Sequence, residues 1–94
     1  MALEAVFTTR FKRDVKKIRR QGKNLIKFNT VARLLMDEEL LPVKYKDHAL
    51  INPPALWGEG VRDLHIEPDW LLIYRLTDTE VHYIRTGSHS ELFG

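Results

Sequence analysis

The chain of 94 residues contains no cysteine and no long apolar run. The missing thiols exclude a disulfide framework and a thiolate metal site. A helix that crosses a bilayer needs about 20 largely apolar residues, and no such segment occurs. The first residues, Met1 to Glu4, lack the charged leader and apolar stretch of a secretion signal. These absences favour a cytoplasmic protein, and the length suits a single domain over residues 1–94.

The net charge of +2 hides an uneven distribution of charged side chains. Residues 1–30 contain nine Lys and Arg against two acidic residues, a charge of +7, whereas the remainder has six basic and eleven acidic residues, a charge of −5. A basic block of this density favours a polyanionic partner, either nucleic acid or an acidic protein segment. The alternative is a solvated helix face that only keeps the protein in solution.

The N-terminal half predicts one strand and two helices. Residues 4–8 alternate in polarity as a short strand does. The first helix can be capped by Thr8 or Thr9 and ended by Gly22. Its apolar stripe consists of Phe11, Val15 and Ile18. A second amphipathic helix is predicted from Leu25 to Leu40, where Pro42 stops it.

The C-terminal half predicts a loop followed by a strand meander. Residues 43–60 show no period, and Pro53 and Pro54 favour an irregular path anchored by Leu56 and Trp57. Residues 61–67, 70–77 and 80–87 read as strands joined by two tight turns. The predicted class is therefore α+β, with an N-terminal strand and two helices packed on an antiparallel sheet in the order β-α-α-β-β-β.

Counting residues outward from the two turns predicts the register of this meander. If both turns have two residues, His65 faces Leu72, and Leu72 faces Arg85, so all three share one sheet face. The helix-packing face would then contain Leu64, Ile66, Leu71, Ile73 and Ile84, and the open face would contain Asp63, His65, Leu72, Tyr74, Tyr83 and Arg85. A slip of one residue in either turn would separate His65 from Arg85.

Five side chains could together cleave RNA without a metal. Such cleavage needs a base for the ribose 2′-hydroxyl, an acid for the departing 5′-oxygen and a cation for the phosphate. Histidine suits the first two because its pKa lies near neutrality, and arginine suits the third because its planar fork fits phosphate oxygens. The candidates by residue type are His48, His65, Asp69, His89 and Arg85. Trp70 and Phe93 could stack on unpaired bases.

Each of these residues also has an ordinary structural interpretation. Asp69 in a Pro-Asp turn is a good turn former, Trp70 could belong to the core, and Phe93 could only pin the chain end. Arg85 could pair with Asp63 on its own face. The histidines lack the spacing of a zinc site and have no cysteine beside them, so the sequence predicts neither metal nor cofactor.

Three segments resemble the YafQ branch of the RelE-type toxins, the toxin halves of bacterial toxin–antitoxin pairs. They lie in the order of that family and reach the last residue: 45–50 (YKDHAL), 62–74 (RDLHIEPDWLLIY) and 85–94 (RTGSHSELFG). Weaker similarity covers the first strand and the start of the first helix. The resemblance implies a RelE-like fold and a ribosome-dependent mRNA endoribonuclease, which cuts message in the ribosomal A site by 2′-hydroxyl attack.

Carried over position by position, the resemblance implies roles for nine residues. The catalytic set is His48, His65, Asp69, His89 and Arg85, with His89 expected as the acid, Asp69 or His48 as the base, and His65 steadying charge or geometry. The substrate-binding set is Trp70, Phe93, Lys46 and Arg62. The chain departs from the family at residues 51–60, where the loop is longer and Gly58-Glu59 replaces a basic contact.

The resemblance also implies partners. These are a RelB- or DinJ-like antitoxin, the ribosome with its 16S rRNA, and message; DNA would be reached only through the antitoxin. Two alternatives remain within the same fold. A ParE-like toxin would inhibit DNA gyrase, although that class lacks this histidine set, and a catalytically inactive toxin would only bind antitoxin or RNA.

Overall fold

A five-stranded sheet forms the centre of the molecule in the computed structural model, which describes residues 2–94. The elements in chain order are β1 (Glu4–Phe7), α1 (Thr9–Arg20), α2 (Leu25–Met36), β2 (His48–Ala49), β3 (Arg62–Glu67), β4 (Trp70–Leu76), β5 (Glu80–Gly87) and α3 (His89–Phe93). Short 3-10 turns occupy Val43–Tyr45 and Ala55–Trp57. The strand order is β1-β5-β4-β3-β2; β1 runs parallel to β5, and all other pairs are antiparallel.

The predicted α+β class is confirmed, and the helix boundaries follow from local chemistry. The Thr8 side chain accepts a hydrogen bond from the Phe11 amide at the start of α1, as an N-cap does. The second helix ends at Met36 and not at the predicted Leu40. Glu38 takes a left-handed conformation with φ 56°, and the amides of residues 38 and 39 bond back to the carbonyls of residues 35 and 34. This hydrogen-bonded helix end needs no proline.

Two bulges make the predicted register wrong. Ile66 is an extra residue in β3, so His65 pairs with Leu71 and not with Leu72. Ile84 is an extra residue in β5, so Arg85 pairs with Ile73. A bulge adds one residue to one strand only, which shifts every pair beyond it. The two turns have two residues each, as predicted. The register is therefore wrong only beyond the bulges inside β3 and β5.

The bulges change which residues meet the helices. The helix-facing core contains Leu64 and Ile66, as predicted, together with Trp70, Leu72, Tyr74, Val81 and Tyr83. Three residues predicted to meet the helices lie instead in a second core on the opposite face, which contains Leu71, Ile73, Ile84, Trp57, Val61 and Leu92. The sheet is therefore apolar on both faces, and the long loop and α3 cover part of the face that the helices leave free.

Two further elements were not predicted. The two-residue strand β2 pairs His48 with Asp63 at the sheet edge. The short helix α3 begins after Ser88, whose side chain accepts from the Glu91 amide while the Glu91 carboxylate accepts from the Ser88 amide. This reciprocal capping box lets a helix of only five residues form. None of the helices in residues 2–94 is long and apolar enough to cross a membrane.

Candidate active site

Three histidines surround one buried carboxylate on the face of the sheet that α1 and α2 leave free. Asp63 is 6% exposed, and its charge interacts with the imidazoles of His48, His65 and His89. Burial raises the pKa of Asp63, and the three imidazoles act in the opposite direction. The Oδ1 atom of Asp63 has no hydrogen-bond partner within residues 2–94. Asp63 therefore places a carboxylate next to the imidazoles of this face.

His48 is fixed by the sharp chain bend that precedes β2. Lys46 takes a left-handed conformation with φ 50°, and its carbonyl lies 2.8 Å from His48 Nδ1. A carbonyl only accepts, so Nδ1 carries the hydrogen and Nε2 is left with a lone pair in the neutral ring. That Nε2 lies 3.7 Å from Asp63 Oδ2. A proton taken up by His48 Nε2 would therefore face a carboxylate.

The Asp47 carboxylate holds the same bend against the sheet. It accepts two hydrogen bonds from Arg62 Nε, at 3.3 and 3.2 Å, and one from Arg62 Nη2 at 2.8 Å. The Tyr74 hydroxyl donates to the same carboxylate. Arg62, predicted to bind substrate, is therefore occupied by Asp47. Lys46, predicted to bind substrate as well, is exposed and has no ion-pair partner within residues 2–94.

His65 lies on the free face two residues beyond Asp63, as predicted from strand alternation. Its Nδ1 lies 3.2 Å from the carbonyl of Pro68 in the β3–β4 turn. This contact again places the hydrogen on Nδ1 and leaves Nε2 as an acceptor in the neutral ring. The turn thus orients the ring of His65.

Asp69, in the same turn, connects it to α3. Its Oδ1 accepts a hydrogen bond from the His89 amide at 3.0 Å, so the carboxylate lies at the positive end of the short helix. The His89 side chain is exposed, and its ring centroid lies 4.9 Å from that of Phe93. The structure therefore brings Asp69 and His89 together through the backbone of α3.

The long loop supports Phe93 and forms one wall of the site. The rings of Trp57 and Phe93 meet edge to face at 5.5 Å, and Phe93 keeps 37% of its surface exposed. Trp57 is buried, as the predicted anchor should be, whereas the other predicted anchor, Leu56, is 98% exposed, so that prediction is wrong. A cavity of about 420 Å³ is lined by His48, Leu50, Ile51, Asn52, Pro54, Asp63, His89 and Phe93.

A carboxylate in α3 ties this helix to α1. Lys17 Nζ lies 2.6 Å from Glu91 Oε2, and the Gln21 side chain donates to the same oxygen at 3.3 Å. The hydrogen bond from Lys17 and the bond from the Ser88 amide are the main causes that lower the pKa of Glu91 to about 2. Glu91 therefore helps to hold His89 and Phe93 in place.

The structure contradicts the predicted role of Trp70. Its side chain is fully buried on the helix side of the sheet, and its Nε1 donates to Thr86 Oγ1 at 2.9 Å. A ring with no exposed surface cannot stack on a base, so Trp70 is a core residue. The prediction placed Trp70 on the same face as His65. The bulge at Ile66 shifts the pairing of β3 with β4 by one residue, so Trp70 lies on the opposite face from His65.

The predicted placement of Arg85 beside His65 is also wrong. Arg85 pairs with Ile73, which pairs with Asp63, so Arg85 lies two residues along the strand from the row of His65. Its Nε and Nη2 donate to Asp14 of α1 at 2.6 and 3.2 Å. Asp14 also accepts from the Thr86 amide at 3.1 Å. Asp14 and Arg85 side chains are 8% and 12% exposed. The pair therefore joins α1 to β5.

We expect Asp14→Ala to lower the free energy of unfolding by about 3 kcal/mol, because it leaves the nearly buried Arg85 charge without a partner. Urea unfolding at pH 7 measures the change. Arg10→Ala serves as the control, since the Arg10 side chain is 60% exposed and lies 3.8 Å from Asp14; the expected loss is below about 0.5 kcal/mol. Equal losses in the two variants would show that the Asp14–Arg85 pair is not a main link between α1 and the sheet.

Asp63 is the residue of the site that sequence reasoning missed. The sequence predicted Asp63 on the open face and as a possible partner for Arg85 but gave it no catalytic role, yet the structure places it beside His48 and in reach of the charges of His65 and His89. Strand alternation correctly placed it on the face of His65, two positions away. Its pairing with His48 needed β2, which is too short to predict. Within the described part of the chain, no group of three His, Asp or Glu side chains is arranged to hold a metal ion.

The five-stranded sheet with two N-terminal helices on one face is the fold of the RelE-like toxins. A family model described as bacterial toxin of type II toxin-antitoxin system, YafQ, matches residues 3–94. The mRNA interferase toxin YafQ of Escherichia coli strain B / BL21-DE3 is 43% identical over 89 residues, which cover 94% of this chain and 92% of that protein. The chain therefore belongs to the YafQ family of toxins.

Solved structures agree with this assignment. The crystal structure of the E. coli DinJ-YafQ toxin-antitoxin complex contains a chain with a TM-score of 0.88 and 37% identity, and the match covers 100% of both chains. The crystal structure of YafQ from E. coli strain BL21(DE3) has a TM-score of 0.86 and 40% identity over 98% of this chain and 99% of that chain. These comparisons confirm the family resemblance and the RelE-like fold that the sequence predicted.

Proposed function

We propose that this protein is an mRNA interferase that cuts message on the ribosome by attack of a ribose 2′-hydroxyl. The observation that carries the proposal is the group of three imidazoles around the buried carboxylate of Asp63 on the free face of the sheet. Proton transfer to and from oxygen near neutral pH is the chemistry for which imidazole is suited. The named activity of the E. coli relative supports the same conclusion.

His48 is the base in this proposal, and His89 is the acid. His48 Nε2 takes the proton of the 2′-hydroxyl, and Asp63 stabilises the imidazolium that forms, since the two groups lie 3.7 Å apart. The 2′-oxygen bonds to phosphorus as the bond from phosphorus to the 5′-oxygen breaks. His89 gives its proton to that 5′-oxygen. The products are a 2′,3′-cyclic phosphate and a 5′-hydroxyl.

The remaining residues position these two groups and offset charge. Asp69 is a positioning residue, because its carboxylate holds the amide of His89. Lys46 supplies positive charge for the phosphate, and the ring of His65, oriented by the Pro68 carbonyl, helps to position it. Arg85 is assigned no contact with the phosphate, since both carboxylate oxygens of Asp14 accept hydrogen bonds from its guanidinium. Phe93 offers a partly exposed ring on which a base can stack.

The partners follow from the shape and charge of the molecule. His48 and His89 are exposed at a shallow site that grips RNA weakly, so the ribosome is needed to hold the message. The basic residues of α1 suit rRNA or the acidic segment of an antitoxin. The antitoxin would be of the DinJ type, as in the complex of the E. coli relative, and DNA would be reached only through it. All of these partners belong to the cytoplasm.

The test is cleavage of one message, free and bound in the A site of programmed ribosomes. We expect cutting of the bound message, with 2′,3′-cyclic phosphate and 5′-hydroxyl ends, and little cutting of free RNA. Primer extension and end-group analysis measure both. Equally fast hydrolysis of free RNA would contradict ribosome dependence. Intact message together with gyrase-linked DNA breaks would instead support a ParE-like activity.

A further inference from the structure

A second cavity, of about 480 Å³, opens beside the proposed active site. It lies between α2, the Val43–Tyr45 turn and the end of β3, and we call it the lysine cleft. It is lined by Lys27, Thr30, Lys44, Tyr45, Lys46, His65, Ile66, Glu67 and Pro68. His65 lies in its wall and also interacts with Asp63, so the lysine cleft and the imidazole site meet at this ring.

The lysine cleft carries surplus positive charge. Lys27 and Lys23 share a single acidic partner, Glu67, at 2.7 and 3.9 Å, and the hydrogen bond from Lys27 lowers the pKa of that carboxylate. Lys44 and Lys46 have no carboxylate partner within residues 2–94. Lysines without partners on the wall of a cleft attract a polyanion.

The wall also has an aromatic component. Lys44 Nζ lies over the Tyr45 ring at 5.2 Å from its centroid, and Tyr45 itself is 8% exposed. The ring face therefore holds the Lys44 ammonium in the wall of the cleft, where no carboxylate of residues 2–94 pairs with it. Lysine ammonium groups next to apolar surface suit the phosphates and sugars of a single RNA strand.

We infer that the lysine cleft binds the phosphodiester next to the one that is cleaved, with Lys44 as its principal contact. The inference rests on the proposed nuclease function and extends it along the message. A strand whose reacting phosphate lies among the imidazoles reaches the cleft by continuing past His65, the ring that lines the cleft and interacts with Asp63. The second phosphate contact adds to the binding of the strand equally before and during the reaction.

The experiment measures binding to ribosomes programmed with a message that carries a 2′-deoxy nucleotide at the cut position, so that no cleavage is required. We expect Lys44→Ala to weaken binding about fivefold at low salt and to reduce the slope of log affinity against log salt by about 0.7, as loss of one phosphate contact from a single strand should. Lys44→Arg should restore most of the binding, because the positive charge is kept.

Two further measurements complete the design. With cleavable message, Lys44→Ala should raise the concentration for half-maximal cleavage and leave the rate at saturation within about twofold of wild type. Arg33→Ala is the matched control, since Arg33 is an exposed cation of the same helix layer that does not line the cleft. Its binding and cleavage should equal those of wild type. Thermal unfolding checks that each variant is folded.

The outcomes separate this inference from the nuclease proposal. Binding by Lys44→Ala that equals that of wild type, at every salt concentration, would overturn the inference and leave the nuclease proposal standing. Binding that depends on Lys44, without any cleavage by wild type, would support the cleft and refute the nuclease. If Lys44→Ala weakens only the complex with antitoxin, the cleft is a protein-binding site and the inference is wrong.

Discussion

Replacing His89 by alanine is expected to slow cleavage of ribosome-bound message by about 10²–10⁴-fold, the usual contribution of a positioned acid. His89 is exposed at the first turn of α3, where Asp69 fixes its backbone and its ring lies near Phe93. No hydrogen bond in residues 2–94 uses the ring of His89, so its removal should change the free energy of unfolding by less than about 0.5 kcal/mol. Single-turnover cleavage and urea unfolding measure the two effects.

His82→Ala is the matched control for this experiment. The His82 ring lies in β5 and contacts Glu80 at 3.0 Å, and it belongs to neither the imidazole site nor the lysine cleft. We expect cleavage by this variant at the wild-type rate. A loss of activity in His82→Ala as large as that in His89→Ala would mean that the assay responds to any lost histidine. A His89→Ala variant that keeps the full rate would remove His89 from the mechanism.

Asp63→Asn is expected to slow cleavage at least about tenfold while leaving the protein as stable as wild type, or more stable, at pH 7. The activity falls because the imidazolium formed on His48 loses the carboxylate at 3.7 Å. Stability does not fall because the ionised carboxylate is unfavourable in the folded protein: it is nearly buried, and one oxygen has no hydrogen-bond partner within residues 2–94.

The difference in stability between Asp63→Asn and wild type should change with pH in one direction. Burial raises the pKa of Asp63 in the folded state above its ordinary value of 3.8. A carboxyl with a raised pKa contributes stability that is fully present below the unfolded value and is lost as the pH rises through the folded value. The advantage of Asp63→Asn over wild type should thus grow from about pH 3.8 upward. Asp78→Asn, in the exposed β4–β5 turn, is the control and should show no such trend. A loss of stability in Asp63→Asn at neutral pH would contradict the account.

Sequence periodicity predicted the elements well where helices and turns have strong local signals. The apolar stripe of α1, the cap at Thr8 and both strand turns follow from residue types a few positions apart. The end of α2 was predicted four residues too late because Glu38, which is not glycine, takes the left-handed conformation. Helices as short as α3 have too few residues for a period.

The site was predicted in part. Family resemblance and strand alternation named His48, His65, Asp69, His89 and Phe93, which the structure gathers on one face. Trp70 was placed on the wrong face because the bulge at Ile66 reverses the face of the residues beyond it, and the bulges at Ile66 and Ile84 together move Arg85 out of the row of His65. Whether a strand contains a bulge depends on packing against both of its faces. The residue types along the strand alone therefore do not predict the position of a bulge. Asp63 was missed because its partners come from β2, β3 and α3.

The most direct measurement replaces one atom of the substrate. A message with a 2′-deoxy nucleotide at the cut position is placed in the A site of programmed ribosomes and incubated with wild-type protein. Because the attacking oxygen is absent, we predict no cleavage at that position, whereas the all-ribose message is cut there. Cleavage of the 2′-deoxy message at the same site and rate would contradict 2′-hydroxyl attack, and with it the acid–base roles assigned to His48 and His89.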